Sequence, residues 1–257
     1  MSQYENDYNL QENDNIIELI PKLKLDIIKE IYESIGISYG KTDNQCNYVN
    51  YLINNPSIFG MFGGTGGIDG EFGNYTGGVI SLDTLLKVFP SAKRDYAGAA
   101  LAALDKYGDV VGLTQKGKLM VLAQFALESG RFQFTAEIGK GKGRKYGNPS
   151  GPYNKIYYGR GPIQITWEAN YKAITQQIFP KMGINVNIWE NPDICEQNLL
   201  IGCAASLAWF LLPGNGKRAV ACANAGDAVG LSKAINGGTN GLNERIEYTK
   251  KLFGLTG

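Results

Sequence analysis

Residues 116–128, KGKLMVLAQFALE, are apolar on nearly every side of a helix. Such a helix has no face to give to water, so other elements must surround it and it must be central. It runs into one carboxylate, Glu128, and is stopped at once by Ser129 and Gly130. The surrounding elements follow from the same periodicity. Ser81 is placed to cap a helix carrying Leu82, Leu85, Leu86 and Phe89, which Pro90 ends. Residues 96–107 (YAGAALAALDKY) offer a small-residue face for close packing. Further helices are predicted over 167–179, 196–212, near 226–235 and over 241–253. Strand signals are few: FQFTAEI and KIYY predict one short hairpin bounding a Gly-rich loop. The expected class is mainly α (α+β), a helical domain with a small β-hairpin flanking a cleft.

The boundary of that domain is also readable. Residues 60–78 hold nine glycines in nineteen positions, a density suited to a linker rather than to the interior of an element. They divide the chain into an N-terminal segment, 1–59, and a main domain, 79–257. Residues 1–15 are polar and acidic, and helical spacing returns over 16–36 and 44–54. Helices this small must dock on something, so the segment reads either as packing for the main core or as an attachment module making a virion or oligomer contact. The polar, acidic start is unlike a signal peptide, and no run approaches the roughly 18 apolar residues of a membrane span. The expectation is a chain made without a standard export signal.

Composition removes several chemistries. No histidine occurs anywhere in the 257 residues, which excludes Ser-His and Cys-His nucleophile pairs and imidazole metal sites. The four cysteines contain no C-x-x-C pair, so no metal site is expected, and Cys203 lies in an apolar run suited to a buried free thiol. A formal net charge of +1 gives no global field for nucleic acid. No cofactor motif is present.

The stretch 118–171 carries the chemistry. Glu128 ends a buried helix, where apolar surroundings and the negative end of the macrodipole both disfavour the ionised form, as a general acid requires. Glu137 follows nine residues later and is a candidate second carboxylate; a solvated strand glutamate balancing Lys140 and Lys142 is the plainer alternative. Hydrolysis with inversion needs such a partner about 6.5–9.5 Å away, leaving room for a water. The phrase YYGRGPIQITW then adds aromatic faces that can stack on sugars, Tyr158 among them, and the polar side chains of Gln164 and Thr166.

YYGRGPIQIT resembles the signature of family 19 glycoside hydrolases, which include plant chitinases and many phage endolysins, and the similarity extends over residues 79–254. The resemblance implies a lysozyme-like fold, FALESG placing the proton donor at Glu128. It implies that Thr166 helps hold the nucleophilic water, that Asn170 and Tyr171 are the asparagine–tyrosine pair, and that Asn236 of AINGG lines the cleft. Arg245 of NERIEYTKKLF falls on the arginine that contacts the catalytic carboxylates. NPDICEQNLLIGCAASLAWF resembles the helix behind the domain. Plant members carry their second glutamate further along, in a cysteine-bearing loop absent here. The nine-residue spacing resembles phage lysozymes instead, which assigns Glu137 as base.

Between Gly139 and Arg160 stand Lys140, Lys142, Arg144, Lys145, Lys155 and Arg160 with no acidic residue. The segment reads either as a solvated mobile loop or as a cationic rim for an anionic polymer. The second reading favours bacterial peptidoglycan, and with it a phage-encoded lysin held in the host cytoplasm or carried in the virion. Chitin is the alternative substrate, and a catalytically silent glycan-binding or structural virion protein is the alternative from another class.

Overall fold

The structure, a computed structural model, describes residues 78–254; the helices expected within 1–59 and the linker residues before Gly78 lie outside these. The described residues form a helical domain: α1 (Leu82–Val88), α2 (Arg94–Val111), α3 (Gln115–Glu128), α4 (Glu168–Ala173), α5 (Ile194–Gln197), α6 (Leu199–Trp209), α7 (Asn215–Ala225), α8 (Ala228–Asn236) and α9 (Leu242–Phe253). Among them no helix is long and apolar enough to cross a membrane.

Helix α3 occupies the centre, as its all-round apolar surface requires. It packs against α2, α7 and α9, and every residue from Gly117 to Ala126 is buried. Its start is fixed by Thr114, whose hydroxyl accepts from Gly117 N at 3.1 Å. Lys118 is retained inside by running its stem past Gly108 and placing its ammonium 2.9 Å from Asp109. Helix α1 begins at the expected Ser81 cap, whose Oγ accepts from Thr84 N at 3.1 Å. The small-residue face of α2 lies against α6, the run LLIGCAASLAW, whose residues from Leu200 to Ala208 are all buried. Cys195 and Cys203 are free thiols, and burial pushes that of Cys195 up to about 12 and raises that of Cys203 as well.

Several expectations change. The segment 196–212 is two helices, because Asn198 leaves helical geometry (φ −110°, ψ 105°) and caps α6 by accepting from Ile201 N at 3.0 Å. The helix expected over 167–179 is α-helical only to Ala173, then continues as a π-helical turn (Ile174–Ile178) and a 3-10 turn (Phe179–Met182). Helix α7 was not expected. Its buried stripe is Gly216, Ala219 and Ala223, which lets it approach α3 closely but leaves no large apolar residue to mark a period.

The hairpin is reduced to isolated bridges. Thr135–Glu137 pairs with Gly159–Gly161, through Glu137 N to Gly159 O and Gly161 N to Thr135 O, both at 2.8 Å, rather than with KIYY. Left-handed backbone at Gly139, Lys140 and Gly141 on one side, and at Gly161 and Gln164 on the other, turns both segments away before a ladder can form.

Backbone contact without intervening side chains locks this region to α6. A Cβ at Gly161 would lie 2.5 Å from Gly202 O and 2.6 Å from Ser206 Oγ, and one at Gly202 would overlap Cys195 O. Gly202→Ala is therefore expected to destabilise the domain by about 1–3 kcal/mol, the cost of overpacking a tight core. Denaturant unfolding of the variant checks this, and a wild-type midpoint would show that α6 has room to shift.

Candidate active site

Glu128 is held at the end of α3 by the turn that follows it. Ser129 is fully buried; its Oγ donates to Phe125 O at 2.6 Å and accepts from Phe132 N at 2.9 Å. Gly130, Arg131 and Phe132 then take successive left-handed conformations (φ 60°, 61° and 60°), which drives Phe132 into the core between Phe89 and Tyr96. The Glu128 side chain, 21% exposed, emerges where burial ends. Its surroundings are not the apolar pocket expected. Arg245, buried on α9, donates one nitrogen to Glu128 Oε1 and another to Gln124 Oε1, so the carboxylate faces a positive charge. Arg245 Nε also reaches Asn240 O at 3.4 Å.

Glu137 sits on the short bridged segment, partly buried. Its Oε2 accepts from the Tyr146 hydroxyl at 3.0 Å, while its Oε1 is buried and has no hydrogen-bond partner. Gly159 lies beside it: a Cβ there would stand 2.8 Å from Gln164 Oε1 and 3.4 Å from Glu137 Oε2. Glycine at 159 thus lets Gln164 and Glu137 share one small space. Gln164 and Trp167 both have left-handed backbone (φ 58° and 72°), an unfavourable conformation that marks the IQITW turn as constrained. Between them Thr166 is half-buried, and its carbonyl accepts from Asn170 Nδ2 at 2.8 Å. Trp167 is 49% exposed and meets the Tyr146 ring edge-on at 5.3 Å.

Two of the expected sugar contacts are internal instead. Tyr171 is fully buried, with its hydroxyl donating to Tyr158 O at 2.8 Å, so it cannot touch a glycan. Tyr158 is also buried: its hydroxyl donates to Glu196 Oε1 at 2.7 Å and its ring lies 3.4 Å beneath the Arg160 guanidinium. Arg245 is buried and donates to Glu128 Oε1, the carboxylate contact that the resemblance implies for it. Asn236 is exposed, but its side chain accepts from Gly238 N at 2.8 Å and donates to Asn240 O at 3.2 Å, shaping the turn that meets Arg245. Asn170 donates its amide to Thr166 O and Gln164 donates its own to Gly161 O at 3.1 Å, which leaves the Thr166 hydroxyl and the Gln164 carbonyl oxygen of these half-buried side chains.

The basic segment is not one rim, because its cations are held in different ways. Arg160 is buried, donating to Ile156 O, Tyr158 O, the Tyr171 hydroxyl and Asp193. Lys140 pairs with Glu196 at 3.1 Å. Lys142, Arg144 and Lys145 are exposed on consecutive turns closed by Lys142 N to Gly139 O, Arg144 N to Gly141 O and Gly147 N to Arg144 O. A Cβ at Gly147 would overlap Gly141 O, so two glycines are needed where the loop crosses itself. Sequence reading missed Tyr146, Gln124, Asp193 and Glu196, each a polar residue whose partner lies on another element. Among the described residues no group of three or more Cys, Asp or Glu could hold a metal ion.

The architecture is that of a lysozyme-like, mainly α domain with a carboxylate ending its central helix. Residues 129–229 match the family model described as Chitinase class I. The match begins one residue after Glu128 and stops before Asn236 and Arg245, but includes Glu137 and Thr166. An Arabidopsis thaliana endochitinase is 33% identical over 117 residues, covering 44% of this chain and 38% of its own length. The basic endochitinase CHB4 of Brassica napus is 30% identical over 154 residues, covering 56% of this chain and 53% of its own. The chain thus spans about half or less of these relatives. The crystal structure of chitinase C from Streptomyces griseus superposes with a TM-score of 0.52 at 26% identity, over 69% of this chain and 77% of that one. The similarity to glycoside hydrolase family 19 thus rests on residues 129–229.

Arg160 fixes this region from within. Replacing it by Met removes the donors of two carbonyls and a tyrosine hydroxyl, whereas the pair with half-exposed Asp193 adds little. The expected loss is about 2–3 kcal/mol in denaturant unfolding; an unchanged midpoint would show that water reaches these groups.

Proposed function

We propose that the protein hydrolyses β-1,4 glycosidic bonds of a chitin-type polymer of N-acetylglucosamine, with inversion at the anomeric carbon. The observation that carries this reading is the unequal holding of two carboxylates beside a segment of the chitinase class I family. Glu128 is charge-paired at the end of a buried helix, while Glu137 has one oxygen held and the other without a partner. In this reading Glu128 gives its proton to the glycosidic oxygen as the bond to the anomeric carbon breaks. Arg245 stabilises the carboxylate left behind. Thr166 holds a water from which Glu137 takes a proton as the remaining hydroxide joins the carbon from the opposite face. Only proton transfers and one displacement are needed.

A second reading, cleavage of peptidoglycan, is favoured by one observation. Lys142, Arg144 and Lys145 are exposed, and no acidic side chain among the described residues pairs with them. Peptidoglycan carries carboxylates that chitin lacks. Reversing the three charges to glutamate tests it: activity on peptidoglycan should fall and lose its salt dependence, with oligomers of N-acetylglucosamine unaffected. Equal loss on both would mean that the loop acts by shape.

Glu128→Gln is expected to lower kcat by about 10²–10⁴-fold on such oligomers, because the amide keeps the shape but cannot donate the proton. Glu137→Gln and Thr166→Ala should lower kcat while leaving KM near its wild-type value, since both act on the water. The released sugar should carry the inverted anomer when read by NMR during turnover. A retained anomer, or full activity of Glu128→Gln, would overturn the assignment.

A further inference from the structure

We infer that Tyr146 is a positioning residue for Glu137, delivered by a loop whose glycines exist to place it; this rests on the reading of Glu137 as base. Several observations converge on it. The Tyr146 hydroxyl donates to Glu137 Oε2 at 3.0 Å, while Oε1 is buried and has no hydrogen-bond partner, so this bond is what fixes the orientation of the carboxylate. Without that donor, both oxygens of a carboxylate anchored only through its own backbone could exchange places by rotation.

The loop around Tyr146 is built for a fixed position rather than for mobility. Lys145–Gly147 is a 3-10 turn, and Gly141 and Gly147 approach so closely that a Cβ on Gly141 would lie 2.8 Å from Gly147 Cα. The same Cβ would lie 3.3 Å from Tyr146 Cδ2 and 3.3 Å from Tyr158 Cβ, so the crossing presses directly on the tyrosine. The start of the loop is anchored separately, where Lys140 pairs with Glu196, which also accepts the Tyr158 hydroxyl. On its open side the Tyr146 ring meets half-exposed Trp167 edge-on. Loop and motif therefore close on each other around Glu137, with Tyr146 as the contact between them.

The surroundings of the phenol agree. Burial raises the pKa of Tyr146, the hydrogen bond to Glu137 and its charge raise it further, and Arg144 works in the opposite direction. No other tyrosine among the described residues donates to Glu137.

Two measurements on the full chain test the inference. In the first, wild type and Tyr146→Phe hydrolyse the hexasaccharide of N-acetylglucosamine, with circular dichroism to show that both are folded. The expected result is a fall in kcat of about 10-fold with KM within two-fold of wild type, the order lost when a reacting group loses its orientation. A raised KM with unchanged kcat would make Tyr146 a sugar contact and overturn the role, as would no change in either. In the second, tyrosine labelled with carbon-13 at Cζ is titrated by NMR, and Tyr146 is assigned by its disappearance in Tyr146→Phe. Glu137→Gln should move its ionisation to lower pH, because the variant removes the negative charge beside it. An unmoved ionisation would overturn the contact itself. If the wild-type chain is inactive on the hexasaccharide, the reading of the site falls and the role of Tyr146 falls with it. An active wild type matched by Tyr146→Phe overturns only the role.

Discussion

Arg245 makes folding and chemistry share one interaction. A guanidinium at 2% exposure is tolerable only where its donors are met, and here they are met by Gln124, Glu128 and the Asn240 carbonyl. Two of those partners are one turn apart on α3, so the pairing fixes the rotation of α9 about the central helix as well as its distance. Helix α9 also packs on α1 and α8, and Tyr248 on it meets Phe89 edge-on at 4.9 Å. The carboxylate at the end of α3 is therefore a structural partner of the last helix. That explains how a glutamate can stand where the helix dipole disfavours it.

Arg160 does the corresponding work on the other side. It lies between the rings of Tyr158 and Tyr171, caps the carbonyls of Ile156 and Tyr158, and pairs with Asp193 ahead of α5. Burying such a group is costly, and the return is rigidity: four hydrogen-bond partners on three stretches, around 156–158, Tyr171 and Asp193, are met together only in one arrangement. YYGRG is consequently a framework phrase. Its aromatic and basic residues hold the turn from behind, and the half-buried Gln164, Thr166 and exposed Trp167 form the face available to a ligand.

Legibility in the sequence followed the range of the interactions. Ser81, the apolar faces of α1 and α3, and the stop at Ser129 depend on residues within a turn or two, and each stands where local spacing placed it. Helix α7 was hidden because its packing face is two alanines and a glycine, which carry no periodic signal. Local spacing gives Glu128 apolar surroundings because Arg245 lies 117 residues away; only the family resemblance placed an arginine against the carboxylate, and there it stands. Tyr158 and Tyr171 were read as surfaces because their chemistry suits sugars. Their burial follows from Arg160, which the same reading had placed on a solvent rim.

The loop from Gly139 to Gly147 shows the limit of composition most directly. Alternating glycine with lysine and arginine is the pattern of a solvated, mobile segment when glycine is counted as freedom. Here the glycines supply left-handed turns at 139, 141 and 143 and permit the crossing at 141 and 147, so they remove freedom. The charges are sorted by the same geometry. Lys140 is drawn onto Glu196, whereas Lys142, Arg144 and Lys145 are displayed on closed turns a few residues from Glu137. Exposed charge is screened beyond about 8 Å at physiological ionic strength, so these three act only on what already lies at the mouth of the site. A mobile loop would spread that field over many positions. A closed one holds it on the segment that also carries Tyr146, whose hydroxyl donates to Glu137.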